Sequence, residues 1–394
     1  MSRYRLEPTA AQAAVLLRHC SDARYVWNLC VEQQSHWRPG RKHAPGFAER
    51  CPQLTEARAA SPWLGAGSVT VQQQAIRDHD QAMRNFFNGT HRKPGWRKAQ
   101  RDEGFRIIAM KPQHVRRLNR GNAVVLVPKC GWVRFRLSRP VPEGAKSFRV
   151  TRDRAGRWHV SFAVIPPVVD GPGTGGIVGV DRGVAVSAAL STSEMLAVPR
   201  ISPRRQARLV MLQRKLPRAK RGSVRRGRTR DAIARLKARE ADARKDWCEK
   251  TSTSLARRFD VIRVEDLNIR DMTRSAKGTA AEPGKNVAAK AGLNREISRS
   301  GWGLLVRRLE DNAPRRVQKI NPAYTSQRCS ACGHVDRKCR ESQAGFWCTA
   351  CGYACNADVN AARNIAAGHA VNARGGDRSA GPMNREPQLE FLAS

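Results

Sequence analysis

The spacing of hydrophobic and polar positions changes along the chain, and each change predicts an element. Between residues 9 and 36, Val15, Leu16, Tyr25, Val26 and Leu29 fall near helical spacing, which predicts a helix ended by Pro39, Gly40 and Pro45. A second helix is predicted over Val69–Phe87, with Val71, Ile76, Met83, Phe86 and Phe87 as its apolar positions and Asn88-Gly89 as its stop. The period then shortens. Residues 123–127, 132–135 and 158–162 read as short β runs between Gly and Pro. The Gly-rich stretch 171–176 reads as a linker. Ile177–Asp181 is an apolar run ending in an acid, and a second run over 184–190 is suited to pair with it. Residues 200–250 predict at least two basic helices joined near 222–227, with Leu209, Leu212 and Leu216 on one stripe and Ile233 and Leu236 on another. Val261–Glu265 is another apolar strand ending in an acid. Residues 270–300, polar and rich in Gly and Ala, read as a loop; 301–310 and 358–365 read as helices, and 370–394 as a flexible tail.

Composition narrows the function classes. The 394 residues carry 73 Lys+Arg against 33 Asp+Glu, a formal charge of +40. At roughly 100–200 residues per domain this length suits two or three domains. Mean hydropathy is −0.57, and no apolar run approaches the ~20 residues of a membrane span. The segment from Met1 to Pro8 lacks an apolar signal core. The expectation is a cytoplasmic protein with no membrane partner. A charge of +40 calls for a polyanion, and nucleic acid is the usual one. The 200–250 run, nineteen Lys and Arg against five acids, favours a phosphate-facing surface over an ordinary solvated face.

Eleven cysteines do not make an extracellular framework: five are scattered and six crowd between 329 and 355. Cys329, Cys332, Cys348 and Cys351 form C-x2-C-x15-C-x2-C, a spacing at which four thiolates close a tetrahedral zinc site. Gly333 and Gly352 follow the second Cys of each pair, where a knuckle turn favours positive φ. Four Cys leave no open position, so the site is expected to be structural. An iron–sulfur cluster or a redox dithiol pair is the alternative, and Cys339 and Cys355 are bystanders or competing ligands.

Acids are scarce in this chain, yet Asp181 and Glu265 each end an apolar β run and Asp358 starts a helix just after the cysteine cluster. Each alone reads as a cap or an ion-pair partner. Three carboxylates converging from two strand ends and a helix start can hold two magnesium ions, the donor set of phosphodiester hydrolysis.

These residues lie in blocks that resemble a known family. Gly179-Val180-Asp181-Arg182-Gly183, Val264-Glu265-Asp266-Leu267-Asn268, the segment from Thr325 to Gly333 and the segment from Asn356 to Ile365 resemble the RuvC-I, RuvC-II, zinc-ribbon and RuvC-III blocks of TnpB, a family related to miniature type V CRISPR effectors. The segments from Tyr4 to Thr9, from Ala23 to Asn28 and from Arg84 to Phe87 are also similar to it. The resemblance implies an α+β multidomain chain: an RNase H-like RuvC core with an inserted zinc ribbon, and an N-terminal wedge β-barrel interrupted by a helical recognition region. It puts the wedge at 1–8 and 97–170, the recognition region at 9–96, the RuvC domain at 171–328 and 352–369 with a basic insertion at 200–250, and the ribbon at 329–351. It implies RNA-guided cleavage of double-stranded DNA with an ωRNA or CRISPR guide, with Asp181, Glu265 and Asp358 as a magnesium-binding catalytic triad. Ala357 departs from the Arg that many members carry, and Asp311-Asn312 from their Tyr or Lys.

The 68–87 helix is expected to expose Gln73, Gln74 and Arg77. Gln73 falls on the helix that the family presents near the short target-adjacent motif, and Gln and Arg have the donors and acceptors to read base edges. A transposase, or a cleavage-deficient RNA-guided repressor, is the alternative function. Retention of all three acids disfavours the repressor.

Overall fold

The computed structural model describes residues 2–368 except 39, 41–43, 102, 166, 341 and 343. The tail expected at 370–394 and the break expected at Pro39 lie outside the described residues. The chain forms two compact units. The first comprises the residues up to 166 together with 203–238, and the second comprises 167–202 and the residues from 239 onward.

The first unit is built on a seven-stranded antiparallel sheet. The chain enters it as β1 (Ser2–Leu6) and leaves through four helices: α1 (Ala10–Ser35), α2 (Phe47–Ala60), α3 (Pro62–Gly65) and α4 (Val69–Phe87). It returns as β2 (Glu103–Ile108), β3 (Val115–Arg117), β4 (Asn122–Val127), β5 (Gly131–Arg136), β6 (Ser147–Arg152) and β7 (Trp158–Phe162), in spatial order β2-β6-β7-β1-β5-β4-β3. Alternation sets the inner face: Ala123, Val125 and Val127 of β4 are buried while their neighbours are not. Tyr4 and Leu6 of β1 join Phe135, Phe148 and Phe162 in one core, with Leu16 and Val26 of α1 and Val71 and Ile76 of α4. A reciprocal pair of bonds between Thr9 and Gln12 starts α1, at 3.0 and 3.2 Å.

Several expectations fail here. Tyr25 and Phe87 are exposed, not core. Gln74, expected on the open face of α4, is buried and its amide faces the Arg106 guanidinium. Helix α2 is not legible in the sequence because it carries few apolar residues and buries an arginine, Arg50, beside Leu54. Strands β2 and β6 are masked by Arg106 and Arg149, which reach the same Asp78 carboxylate of α4 at 3.3 and 2.6 Å.

The second unit holds a mixed five-stranded sheet. Strands β8 (Ile177–Asp181), β9 (Ala188–Leu190) and β10 (Met195–Leu196) form its antiparallel side. Strand β11 (Val261–Glu265) pairs parallel with β8 and β12 (Val317–Ile320) parallel with β11, giving the order β10-β9-β8-β11-β12. Only 188–190 of the 184–190 run is strand. Helices α5 (Pro203–Arg218) and α6 (Val224–Arg258) join at 219–223, and Gly227 lies inside α6. Residues 203–238 group with the first unit, while the later part of α6 supplies Cys248, Leu255 and Ala256 to the core of the second.

The segment 270–300 is not one loop. It contains the end of α7 (Ile269–Met272) and all of α8 (Val287–Ser300), whose single buried apolar residue, Ile297, leaves no stripe to read. Helix α9 (Trp302–Asn312) follows and buries Trp302, Leu305, Val306 and Leu309. The glycine-rich stretch is pinned by one carboxylate: Asp260 accepts from the N–H groups of Gly173 and Gly175 at 2.9 and 2.7 Å. A two-stranded ribbon, β13 (Gly345–Trp347) and β14 (Ala354–Asn356), then leads into α10 (Ala357–Ala367). Ala357, where the resemblance leads one to expect Arg, is buried with Phe346 and Cys348 in the ribbon core.

Candidate functional site

Strands β8 and β11 run in parallel with Val180 opposite Val264. Asp181 and Glu265 therefore leave adjacent strands at the same carboxyl end of the sheet, where open α/β sheets bind ligands. Helix α10 lies against β8. A Cβ on Gly179 would overlap the Ala362 carbonyl oxygen and the Ala366 nitrogen, so the helix can come this close only to glycine. The Asn356 side chain starts α10 by accepting from the N–H groups of Asp358 and Val359, at 2.9 and 3.2 Å. In that first turn the Asp358 Oδ2 lies 3.9 Å from where a Cβ would stand on Gly183, two residues past Asp181. The structure thus brings all three acids to one end of the sheet. Their oxygens do not form a ligand-distance cluster of the kind the thiols form among the described residues.

Two neighbours of the acids lie inside the blocks that resemble the family, but only the structure gives each a role. Arg182 is buried beside them, and its guanidinium donates to the Glu265 main-chain carbonyl. Burial lowers the Arg182 pKa, and the charges of Glu265, Asp181 and Asp266 work against that shift. Thr325 donates its hydroxyl proton to Glu265 Oε1 at 2.8 Å. Burial raises the Asp358 carboxyl above its ordinary value, with Arg340 pulling the other way. Trp302 Nε1 donates to the Gly183 carbonyl at 3.1 Å and fixes the loop after Asp181. Partly buried carboxylate oxygens at one end of the sheet are the donor type that a hard cation such as magnesium takes, so the donor chemistry fits that ion although the oxygens do not stand at ligand distance from one another.

The four thiols of Cys329, Cys332, Cys348 and Cys351 stand together. Their sulfurs pair at 3.8 Å between Cys329 and Cys351 and at 3.6 Å between Cys332 and Cys348. A tetrahedral zinc with Zn–S of about 2.3 Å has a ligand–ligand edge of about 3.8 Å, so the group fits zinc. Gly333 and Gly352 hold φ of +79° and +70°, as the knuckles require. Burial pushes the Cys348 thiol up, but N–H groups of Cys351 and Ala350 outweigh it and hold the thiol below its ordinary value. The Tyr353 N–H draws Cys351 down, yet the neighbouring sulfurs drive it up to about 12. One thiolate thus suppresses the next, and a cation relieves that conflict. Cys339 stays outside the four. Its sulfur accepts from Thr349 N at 3.4 Å, and Asp336 accepts from the Thr349 hydroxyl at 3.1 Å, so this pair braces the second knuckle.

On α4, Gln73 and Arg77 are exposed. The Arg77 guanidinium stacks over the Phe47 ring at 4.2 Å.

Comparison with known proteins agrees with this layout. Three family models match: a helix-turn-helix domain of OrfB from IS605 over residues 2–42, a probable transposase, OrfB of IS605, over 165–276, and a Cas12f1-like TNB domain over 302–365. The described part of 2–42 is β1 and α1. A protein of Escherichia coli (strain K12), provisionally named RNA-guided DNA endonuclease InsQ, is 35% identical over 98% of this chain and 96% of its own length. The chain belongs to the TnpB family. A second relative, from Streptomyces pristinaespiralis and provisionally named RNA-guided DNA endonuclease, is 32% identical over 95% of this TnpB-family chain and 90% of its own length. A Cas12f1 solved in complex with sgRNA and target DNA superimposes with a TM-score of 0.50 at 13% identity, covering 91% of this chain and 83% of that one. At that identity the likeness establishes a shared α+β fold. No described helix of this TnpB-family chain is long and apolar enough to cross a membrane.

Proposed function

We propose that this chain is an RNA-guided DNA endonuclease in which Asp181, Glu265 and Asp358 form a RuvC-type, magnesium-binding catalytic triad. The observation that carries the reading is the convergence of three carboxylates at one sheet end, in a chain collinear with named RNA-guided endonucleases over nearly its whole length. The mixed sheet of the second unit is the RNase H-like core on this reading, and the seven-stranded sheet, with helices between β1 and β2, is the wedge with its recognition region. The four-thiol group is the structural zinc site.

The roles of the side chains follow from their placement. Asp181, Glu265 and Asp358 would hold two magnesium ions, which when bound supply an activated water and stabilise the leaving oxygen. Arg182 fixes the end of β11 through the Glu265 carbonyl and offsets repulsion among the acids. Gly179 lets α10 carry Asp358 to the sheet. Sequence choice rests on base pairing with the guide, and the protein reads only a short adjacent motif.

The test is to purify the chain with its native flanking DNA co-expressed and sequence the RNA that copurifies. Plasmids matching that RNA are then offered beside a randomised adjacent segment. RNA-dependent cutting of the matched plasmid is expected. Sequence-specific cutting by RNA-free protein would overturn the reading in favour of the transposase suggested by one family description.

A further inference from the structure

We infer that the zinc ribbon positions the nuclease glutamate: Thr325 and Asn364 are positioning residues that hold the Glu265 carboxylate, and the first cysteine knuckle anchors that hold. The inference rests on the reading of Glu265 as a catalytic acid.

Glu265 ends β11 and is 9% exposed; Thr325 is 5% exposed. The threonine hydroxyl has one proton and two acceptors in reach, Glu265 Oε1 at 2.8 Å and the Pro322 carbonyl at 3.1 Å. The nearer acceptor is also the charged one, and charge-assisted bonds are the stronger. Thr325 is itself held. Its carbonyl accepts from Asn364 Nδ2 at 2.9 Å, and the same amide donates to the Arg328 carbonyl at 2.7 Å. Asn360 donates to that Arg328 carbonyl at 2.7 Å and accepts from the Ser330 N–H at 2.9 Å. Arg328 precedes Cys329, and Ser330 lies inside the first knuckle.

Helix α10 therefore ties the knuckle to the residue that holds Glu265, and carries Asp358 in its own first turn. Asn is a poor helix former, yet α10 buries two of them at i and i+4 on one face. The hydrogen bonds to the knuckle and to Thr325 account for that choice. Metal that closes the four thiols fixes Arg328 and Ser330, and through α10 it fixes Thr325 and the Glu265 carboxylate.

The test uses the full chain with its copurified RNA and a matched target. Thr325→Val keeps the shape and removes the donor. A misplacement of about 1 Å can cost about 100-fold in rate. The expected result is single-turnover cleavage slower by roughly 10- to 100-fold, with target binding and zinc content at wild-type levels. Manganese binding, read by electron paramagnetic resonance, should weaken, and Thr325→Ser should restore both. Asn364→Ala should slow cleavage while zinc stays bound. Thr325→Val cutting at the wild-type rate, with Glu265→Gln inactive, overturns the positioning role. Loss of zinc or of target binding in Thr325→Val also overturns it, because the role would then be folding alone. Cleavage by Glu265→Gln instead overturns the reading beneath it.

Discussion

Asp181 ends a strand whose preceding residues, Val178 and Val180, are fully buried. A carboxylate at such a position is costly unless something takes up its charge; Arg182 does so here, and the proposed ions would add to it when bound. Asp181→Ala removes a ligand but none of the basic surface. Guide and target binding should be retained while cleavage falls by about a thousandfold or more, since bound metals supply several kcal/mol and each 1.36 kcal/mol is tenfold. Glu265→Gln should behave alike at constant shape. Filter binding paired with plasmid cleavage checks both, and a variant that still cuts rejects the assignment. The acids are legible in the sequence because two end apolar runs and the third opens a helix. Thr325 opens a block that resembles the family, but its hold on Glu265 is not legible, because a threonine in a turn carries no periodic signal and its partner lies 60 residues away. The thiols are fully legible, since a knuckle is local and its ligands recur at fixed spacing. The purified protein should carry about one zinc per chain, and Cys348→Ser should lower soluble yield as well as activity. Elemental analysis finding iron or no metal would reject the zinc site.

At the scale of elements, α1 and α4 are readable because their buried residues repeat at helical spacing, whereas α2, β2, β6 and α8 use arginine or few apolar residues where a stripe is sought. The open face of α4 is smaller than the periodicity suggests: Gln74 turns inward, leaving Gln73 and Arg77. If α4 meets the adjacent motif, Gln73→Ala should relax the motif requirement by a base-contact amount of roughly 1–3 kcal/mol with guide binding unchanged. A library of randomised flanks checks this, and an identical motif profile would leave Gln73 an ordinary solvated side chain. The buried face of α4 makes a separate prediction. Burial and the Arg50 cation lower the His79 pKa to about 4, and Arg50 Nη1 lies 3.2 Å from its Nδ1, which must accept. The unfolded chain takes a proton near the ordinary pKa of 6.5 and the folded one does not, so stability is full above that value and falls as pH drops toward 4. The loss from this one group between about pH 6.5 and 5 is about 2 kcal/mol. His79→Gln keeps an acceptor for Arg50 and should flatten that part of the pH–stability curve in denaturant melts.

At the scale of the whole molecule, the basic character is plain in the composition, but the grouping of 203–238 with the first unit is not. Grouping is a long-range property, and the linear order puts this segment among the second unit's strands. Residues 203–238 carry fourteen Lys and Arg against one acid, and all but Arg226 of those cations are exposed. Arg226 is committed to the Leu216 and Ala219 carbonyls at the α5–α6 joint. Such a surface repels itself until a polyanion covers it. Replacing Arg214, Arg218, Arg221 and Arg225 together by Gln removes four exposed charges and leaves the acids, the thiols and both sheets untouched. Each phosphate contact releases condensed counterions, worth about 0.7–0.9 in the slope of log affinity against log salt. If all four arginines meet phosphates, the slope for the copurified RNA should become shallower by about 3, and affinity at low salt should fall. The free protein should melt no lower than wild type. Titrations across a salt series measure the slope directly; an unchanged slope would make 203–238 a solvated face and move the RNA-binding surface elsewhere on the chain.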